Sequence, residues 1–257
     1  MTSPPPSSPS PPTETRVEQK RVARTTAILD EAMAILSREG LEALTLGRLA
    51  KSLGYVPAAL YRYFDSKDAL LAALQRRAVV EIHEGLAEAE RALVGSIEAA
   101  RPTPEVAILA RLVGAAQYYL DLPETNPQAA FLVALLMGDP RALLSTEESQ
   151  RTAPLLLALL GEVDAMFREA EGPAGGRALA TGASIERTLV FWASLSGALS
   201  LAKARRIAPE LPSPALVGMA GVRALLVGWG AKPADVERAE ALAAAKPKKK
   251  ITKKERP

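Results

Sequence analysis

Apolar residues recur along this chain at helical spacing, and strict alternation of the kind that marks a strand is scarce. From about residue 16 to Arg38, Ala27, Ile28, Met33, Ile35 and Leu36 define an inward-facing side of a first helix. Glu39-Gly40 closes it, the glycine being suited to a left-handed cap, and Thr15-Arg16-Val17-Glu18 has the form of a capping box at its start. Three short pieces follow within residues 41–71. Thr45 precedes Leu46, Leu49 and Ala50; Leu53-Gly54 breaks the run; Pro57 opens a segment reaching Phe64; Asp65-Ser66-Lys67-Asp68 begins another helix. From Ala69 to about Ala92 the apolar positions Leu70, Leu74, Val79, Ile82 and Leu86 drift along one face of a long helix, which Pro102 and Pro104 interrupt. Further helices are predicted near 104–121, 125–137, 149–171, 178–206, 212–229 and 233–245, and no fixed-period repeat is visible.

Composition supports an all-α fold. Hydrophobic residues make up 48% of the 257 but aromatics only 4%, with alanine and leucine supplying most of the bulk. The pattern divides the chain into four parts: a Pro/Ser-rich tail over 1–15, expected to be disordered; a compact helical domain over 16–67; a larger helical domain over 68–245; and a basic tail over 246–257.

Charge is distributed unevenly along these parts. Residues 16–77 carry 11 Lys/Arg against 7 Asp/Glu, residues 78–245 carry 14 against 20, and residues 246–257 carry 7 against 1. A net charge of +3 therefore conceals a basic head and tail around an acidic body. That asymmetry fits a polyanion-binding head on a body that does not itself bind nucleic acid. The tail is either a solvated end or an extra, sequence-independent contact with phosphates.

Several function classes fall away. With no cysteine there is no disulfide, thiolate chemistry or cysteine-based zinc site, and a single histidine, His83, cannot build a multi-histidine metal centre. No carboxylate pair or nucleophile constellation stands out, so an enzyme is not expected, and neither is a cofactor or metal. The first residues lack the form of a signal peptide. The longest uncharged stretch expected to be helical, Thr188 to Ala202, is too short and too rich in Ser and Gly to span a bilayer. A soluble, cytoplasmic protein without membrane association is expected.

Two helices joined by a tight glycine-bearing turn form a helix-turn-helix, whose second helix can enter a DNA major groove. Gly54, Leu60-Tyr61, Tyr63-Phe64 and Ser66-Lys67-Asp68-Ala69-Leu70-Leu71 stand here in an order that resembles the N-terminal domain of the tetracycline-repressor (TetR) family. The resemblance covers roughly residues 22–71. It implies double-stranded DNA as a partner, with phosphate contacts from Thr45, Tyr61 and Lys67, and with Arg48, Ala58, Ala59 and Arg62 facing bases. Pro57 sits at the first helical position, where its missing amide costs little. Arg48 is also readable as a solvated surface arginine, Tyr61 as a buried aromatic, and Tyr63 as either core or contact. Leu60 and Phe64 read as core. Val then Ser or Thr is common in the family where this chain has Tyr55 and Val56. Val56 cannot cap the helix, which forgoes about 0.5–2 kcal/mol.

For the larger domain the resemblance implies a small-molecule site and a homodimer formed through the last two long helices, here Ile185 to Arg206 and Leu216 to Trp229. The run Phe191 to Leu201 loosely resembles a Trp-x-x-x-His-Gly segment of many members, with Ser196 at the histidine position. Small residues Ser194, Gly197, Ala198, Gly218 and Gly221 would let a partner helix approach. Tyr118, Tyr119, Phe131, Met137, Met166, Phe167 and Trp192 are the bulky groups that either line a pocket or simply fill the core, and Glu186 and Arg187 are candidates to orient a polar group. The implied ligand is small and largely apolar, because polar anchors are few. The resulting expectation is a repressor released by ligand from a palindromic operator. The alternative is a helical ligand-binding or protein-interaction bundle with a vestigial DNA-binding head.

Overall fold

The computed structural model describes residues 16–138 and 145–245, without the side chains of residues 136–138. Both tails, and with them Thr15 of the expected capping box, lie outside the described residues. Among the described residues every regular element is a helix: α1 Arg16–Glu39, α2 Leu46–Ser52, α3 Pro57–Leu60, α4 Lys67–Ala100, α5 Pro104–Thr125, α6 Pro127–Gly138, α7 Thr146–Glu171, α8 Ser184–Ser200, α9 Ala202–Arg205, α10 Pro214–Gly228 and α11 Pro233–Ala244. The chain forms two compact units that divide within α4, between Ala73 and Leu74.

In the first unit α1 buries Ile28, Leu29, Ala32, Met33, Ile35 and Leu36, a stripe at helical spacing. Ala27, expected to face inward, is exposed, because the stripe is centred on the Ile28–Ala32–Ile35 line one position further round. Leu44, Leu46, Leu49, Ala50, Leu60, Phe64 and Leu70 complete this core.

In the second unit α5 is the central helix. It buries Val106, Ile108, Leu109, Ala110, Leu112, Val113, Ala115, Ala116, Leu120 and Leu122, so it is apolar nearly all round and packs against α6, α7, α8, α10 and α11. Pro123 does not end it as expected. That residue lacks only the amide that would bond Tyr119, and the helix continues to Thr125 before Asn126 donates to the Leu122 carbonyl. The expected helix over 178–206 is also corrected. Leu179 donates to Ala170 O and Ala180 to Trp229 O, so these two residues are bonded laterally to other elements and the helix begins only at Ser184.

Aromatic and polar contacts pin the bundle. Phe167 lies edge-on to both Phe191 (centroids 5.6 Å apart) and Trp229 (5.4 Å). Arg111 on α5 bridges Glu90 on α4 and Glu169 on α7. Burial disfavours its charge, but the two carboxylates more than offset this, so its pKa is raised. Close approach is set by glycine: a Cβ on Gly218 of α10 would lie 2.6 Å from a Leu120 methyl. Among the described residues no helix is long and apolar enough to cross a membrane.

Candidate nucleic-acid interface and helical cavities

The turn between α2 and α3 is a Schellman motif. Gly54, at φ +69°, donates to the Lys51 carbonyl, and Tyr55 donates to the Ala50 carbonyl at 2.8 Å. These two bonds satisfy the last carbonyls of α2 and turn the chain sharply into α3. At the other end of α2, the Thr45 hydroxyl accepts from the Arg48 amide at 3.1 Å, so Thr45 is the N-cap.

α3 spans only Pro57–Leu60, shorter than the Pro57–Phe64 segment expected from sequence. Tyr61 still has helical dihedrals, but the bonding then tightens to Tyr63 N donating to Leu60 O at 2.8 Å, and the chain leaves the helix. Ser66 takes up the N-cap of α4, accepting from Ala69 N at 3.0 Å. Val56 holds the N-cap of α3 without any side-chain bond.

The candidate residues divide by exposure. Pro57, Ala58 and Arg62 are exposed, Tyr61 is 54% exposed, and Ala59 and Tyr63 are half-buried. Tyr61 is therefore not a core aromatic, whereas Leu60 and Phe64 are buried. Thr45 and Arg48 are exposed on α2, with Arg48 paired to Glu39. Lys67 is half-buried, its ammonium donating to the Leu41 carbonyl at 2.7 Å. An ammonium has three protons, so this bond leaves donors for another acceptor.

In the second unit the candidates for a ligand site separate. Tyr118 and Trp192 line a small apolar cavity of about 60 Å³ with Leu86, Leu159 and Phe191, room for a few waters' worth of atoms. Tyr118 also donates to the Ile82 carbonyl at 3.0 Å, and burial raises its pKa. Phe131 lines a different and larger groove of about 610 Å³ among α5, α6, α8 and α9. Tyr119 borders both spaces, its hydroxyl 2.9 Å from that of Ser196. Phe167 and Met166 are buried, and neither lines these two cavities. The side chain of Met137 lies outside those described. Arg187 is committed to structure: it pairs with Glu171, donates to Ala180 O and lies over the Trp229 ring. Glu186 is exposed.

Lys203 and Arg206, which are not among the residues expected from sequence, both line the larger groove. The signal was present in Lys203-Ala204-Arg205-Arg206, a cationic run inside a stretch whose overall balance is acidic. His83 pairs with Glu162 at 2.9 Å, and among the described residues no acidic, histidine or cysteine group could hold a metal ion.

Comparison with known proteins places this arrangement. Residues 28–74 match the model of bacterial regulatory proteins of the tetR family. The HTH-type transcriptional regulator BetI of Rhizobium meliloti (strain 1021) is 30% identical over 155 residues, 59% of this chain and 72% of the relative. A tetR-family bacterial regulatory protein from Rhodococcus RHA1 shares the fold with TM-score 0.57 and 18% identity, over 81% of this chain and 97% of that one. The regulator FadR of Bacillus subtilis, solved with stearoyl-CoA, gives TM-score 0.58 and 15% identity over 79% and 98%.

Proposed function

The chain belongs to the TetR family of bacterial DNA-binding regulators, and from that premise we propose that it is a homodimeric repressor that leaves a palindromic operator when a small, largely apolar ligand enters its helical body. As a member of a family of regulators it is not an enzyme.

One observation carries the reading. From Tyr55 to Arg62 only Ala59 and Leu60 are withdrawn from solvent, although the segment contains two tyrosines, a valine and a proline that a folded domain ordinarily covers. Such a surface, beside exposed Arg48 and Arg62, suits a duplex. Thr45, Tyr61 and Lys67 would contact phosphates and set register. Arg48, Ala58, Ala59 and Arg62 would face base edges, flanked by Pro57 and Tyr63. The alanines allow close approach and touch thymine methyls, so arginine carries most of the hydrogen-bonded readout.

Dimerisation has its own support. On α8, Ile185, Leu189, Ala193 and Gly197 are exposed at four-residue spacing, and on α10 Leu216, Ala220 and Ala224 repeat that pattern. Two uncovered apolar stripes rich in small residues suit a two-fold helical interface, which would pair two heads for a palindrome. A fold-mate that accommodates stearoyl-CoA makes a ligand with an apolar body compatible with this architecture. A competition shift assay on the full chain tests the proposal. A specific palindrome should survive excess bulk DNA; equal displacement by both would instead favour a bundle with a vestigial head.

A further inference from the structure

We propose that the groove among α5, α6, α8 and α9 is the effector site, and that its ligand is an amphiphile with an anionic head, a carboxylate or a phosphate. This inference rests on the ligand-responsive reading above. The groove, at about 610 Å³, has the size of ordinary small-molecule sites, whereas the 60 Å³ cavity beside Trp192 admits only a few atoms. Its walls are mostly apolar, with Leu122, Phe131, Val133 and Leu199 contributing, and among the described residues no carboxylate lines it. Phe131, 37% exposed, turns an aromatic ring into this space without a full cover.

The groove also carries charge at its mouth. Lys203 and Arg206 are the cations on the lining, one helical turn apart, and among the described residues neither makes an ion pair or side-chain hydrogen bond. Most arginines of this unit are engaged. Arg76, Arg111, Arg151, Arg168, Arg187 and Arg223 all sit against carboxylates, and even Arg205, between the two, donates to the Leu211 carbonyl. In a segment with 14 basic against 20 acidic residues, two cations unpaired among the described residues leave a positive mouth beside an apolar groove on a body of net negative charge. The Tyr119 and Ser196 hydroxyls share one hydrogen bond on this lining, which leaves one hydroxyl proton between them for a ligand oxygen. An apolar body with one anionic end matches all of these features, with Arg206 able to grip two oxygens at once.

The test is calorimetry on the full chain with decanoate, decyl phosphate, decanol and decyltrimethylammonium, using the wild type and Lys203→Gln/Arg206→Gln. Both side chains are exposed, so the double variant should fold normally. At least one anion should bind about tenfold more tightly than decanol. The double variant should bring that anion down to the affinity of decanol and leave decanol unchanged. The anion that binds distinguishes a carboxylate from a phosphate head. Failure of both anions to bind, equal affinity for all four probes, or undiminished anion binding in the double variant would overturn the proposal. So would a double variant that turns monomeric in light scattering, since the cations would then serve contact between copies. Shift assays on a palindrome run in parallel. Binding of either anion without operator binding would sink the repressor reading and leave this site standing, while operator binding with neither anion bound would sink this site alone.

Discussion

Val56 offers a gain rather than a loss, and the structure sets its size. The residue sits at the N-cap of α3 with φ −74° and ψ 142°, extended as a cap should be, yet its side chain cannot accept a hydrogen bond. Pro57 has no amide, and the Ala59 amide already reaches the Val56 carbonyl at 2.9 Å. The Ala58 amide is therefore the donor that a hydroxyl at position 56 would meet. A cap of this kind contributes about 0.5–2 kcal/mol. Against it stands the apolar burial lost, which is small. Val56 is 68% exposed, so roughly a third of the ~1.5 kcal/mol of a fully buried valine is at stake, and threonine keeps one of the two methyls. Val56→Thr should stabilise the head by about 0.5–1 kcal/mol, moving a urea midpoint up by about 0.2–1 M with unchanged slope. Circular dichroism would follow the transition, with Trp192 and Trp229 fluorescence reporting separately on the second unit. Val56→Ala, which loses the burial and gains no cap, is the control. If threonine is no more stable than alanine, the cap does not form and the account of this helix start is wrong.

Other positions give losses of defined size. Gly54→Ala should cost about 1 kcal/mol in urea unfolding, purely from its positive φ since nothing lies within 4 Å of an added Cβ, and Gly54→Asn should cost less. Lys67→Met should weaken palindromic and bulk DNA alike in fluorescence anisotropy and lower the salt slope by about 0.9, as expected for one lost phosphate. A changed sequence preference with an unchanged slope would remove Lys67 from the phosphate contacts. Phe167→Ala should destabilise the second unit by about 3–5 kcal/mol, read from Trp229 fluorescence, because its ring is fully buried between Phe191 and Trp229.

What was legible in the sequence follows from which signals are local. The all-α class, the Thr45 cap, the Gly54 turn and the buried Leu60 and Phe64 are written in neighbouring residues, where spacing and backbone chemistry act directly. The misjudged elements depend on distant partners. Residues 178–183 look helical until Leu179 and Ala180 find Ala170 and Trp229, and Pro123 looks like a stop until its single lost bond is counted. Pocket residues were hardest to read. Phe131 and Phe167 are the same residue type on apolar helices, yet one borders an open groove and the other is sealed between aromatic rings. Which of them meets a cavity is decided by helix packing, and periodicity within one helix carries no record of it. Lys203 and Arg206 are hard to read for a related reason: a surface cation carries a message only once the groove it lines is seen to hold no carboxylate among the described residues.

The most direct measurement is selection of genomic DNA fragments by the full-length protein, followed by sequencing of the bound pool. The account predicts enrichment of a palindrome with half-sites about one helical turn apart, and loss of that enrichment with Tyr61→Ala/Arg62→Ala. A bound pool with no motif above bulk DNA, or one that the double substitution leaves intact, would contradict it.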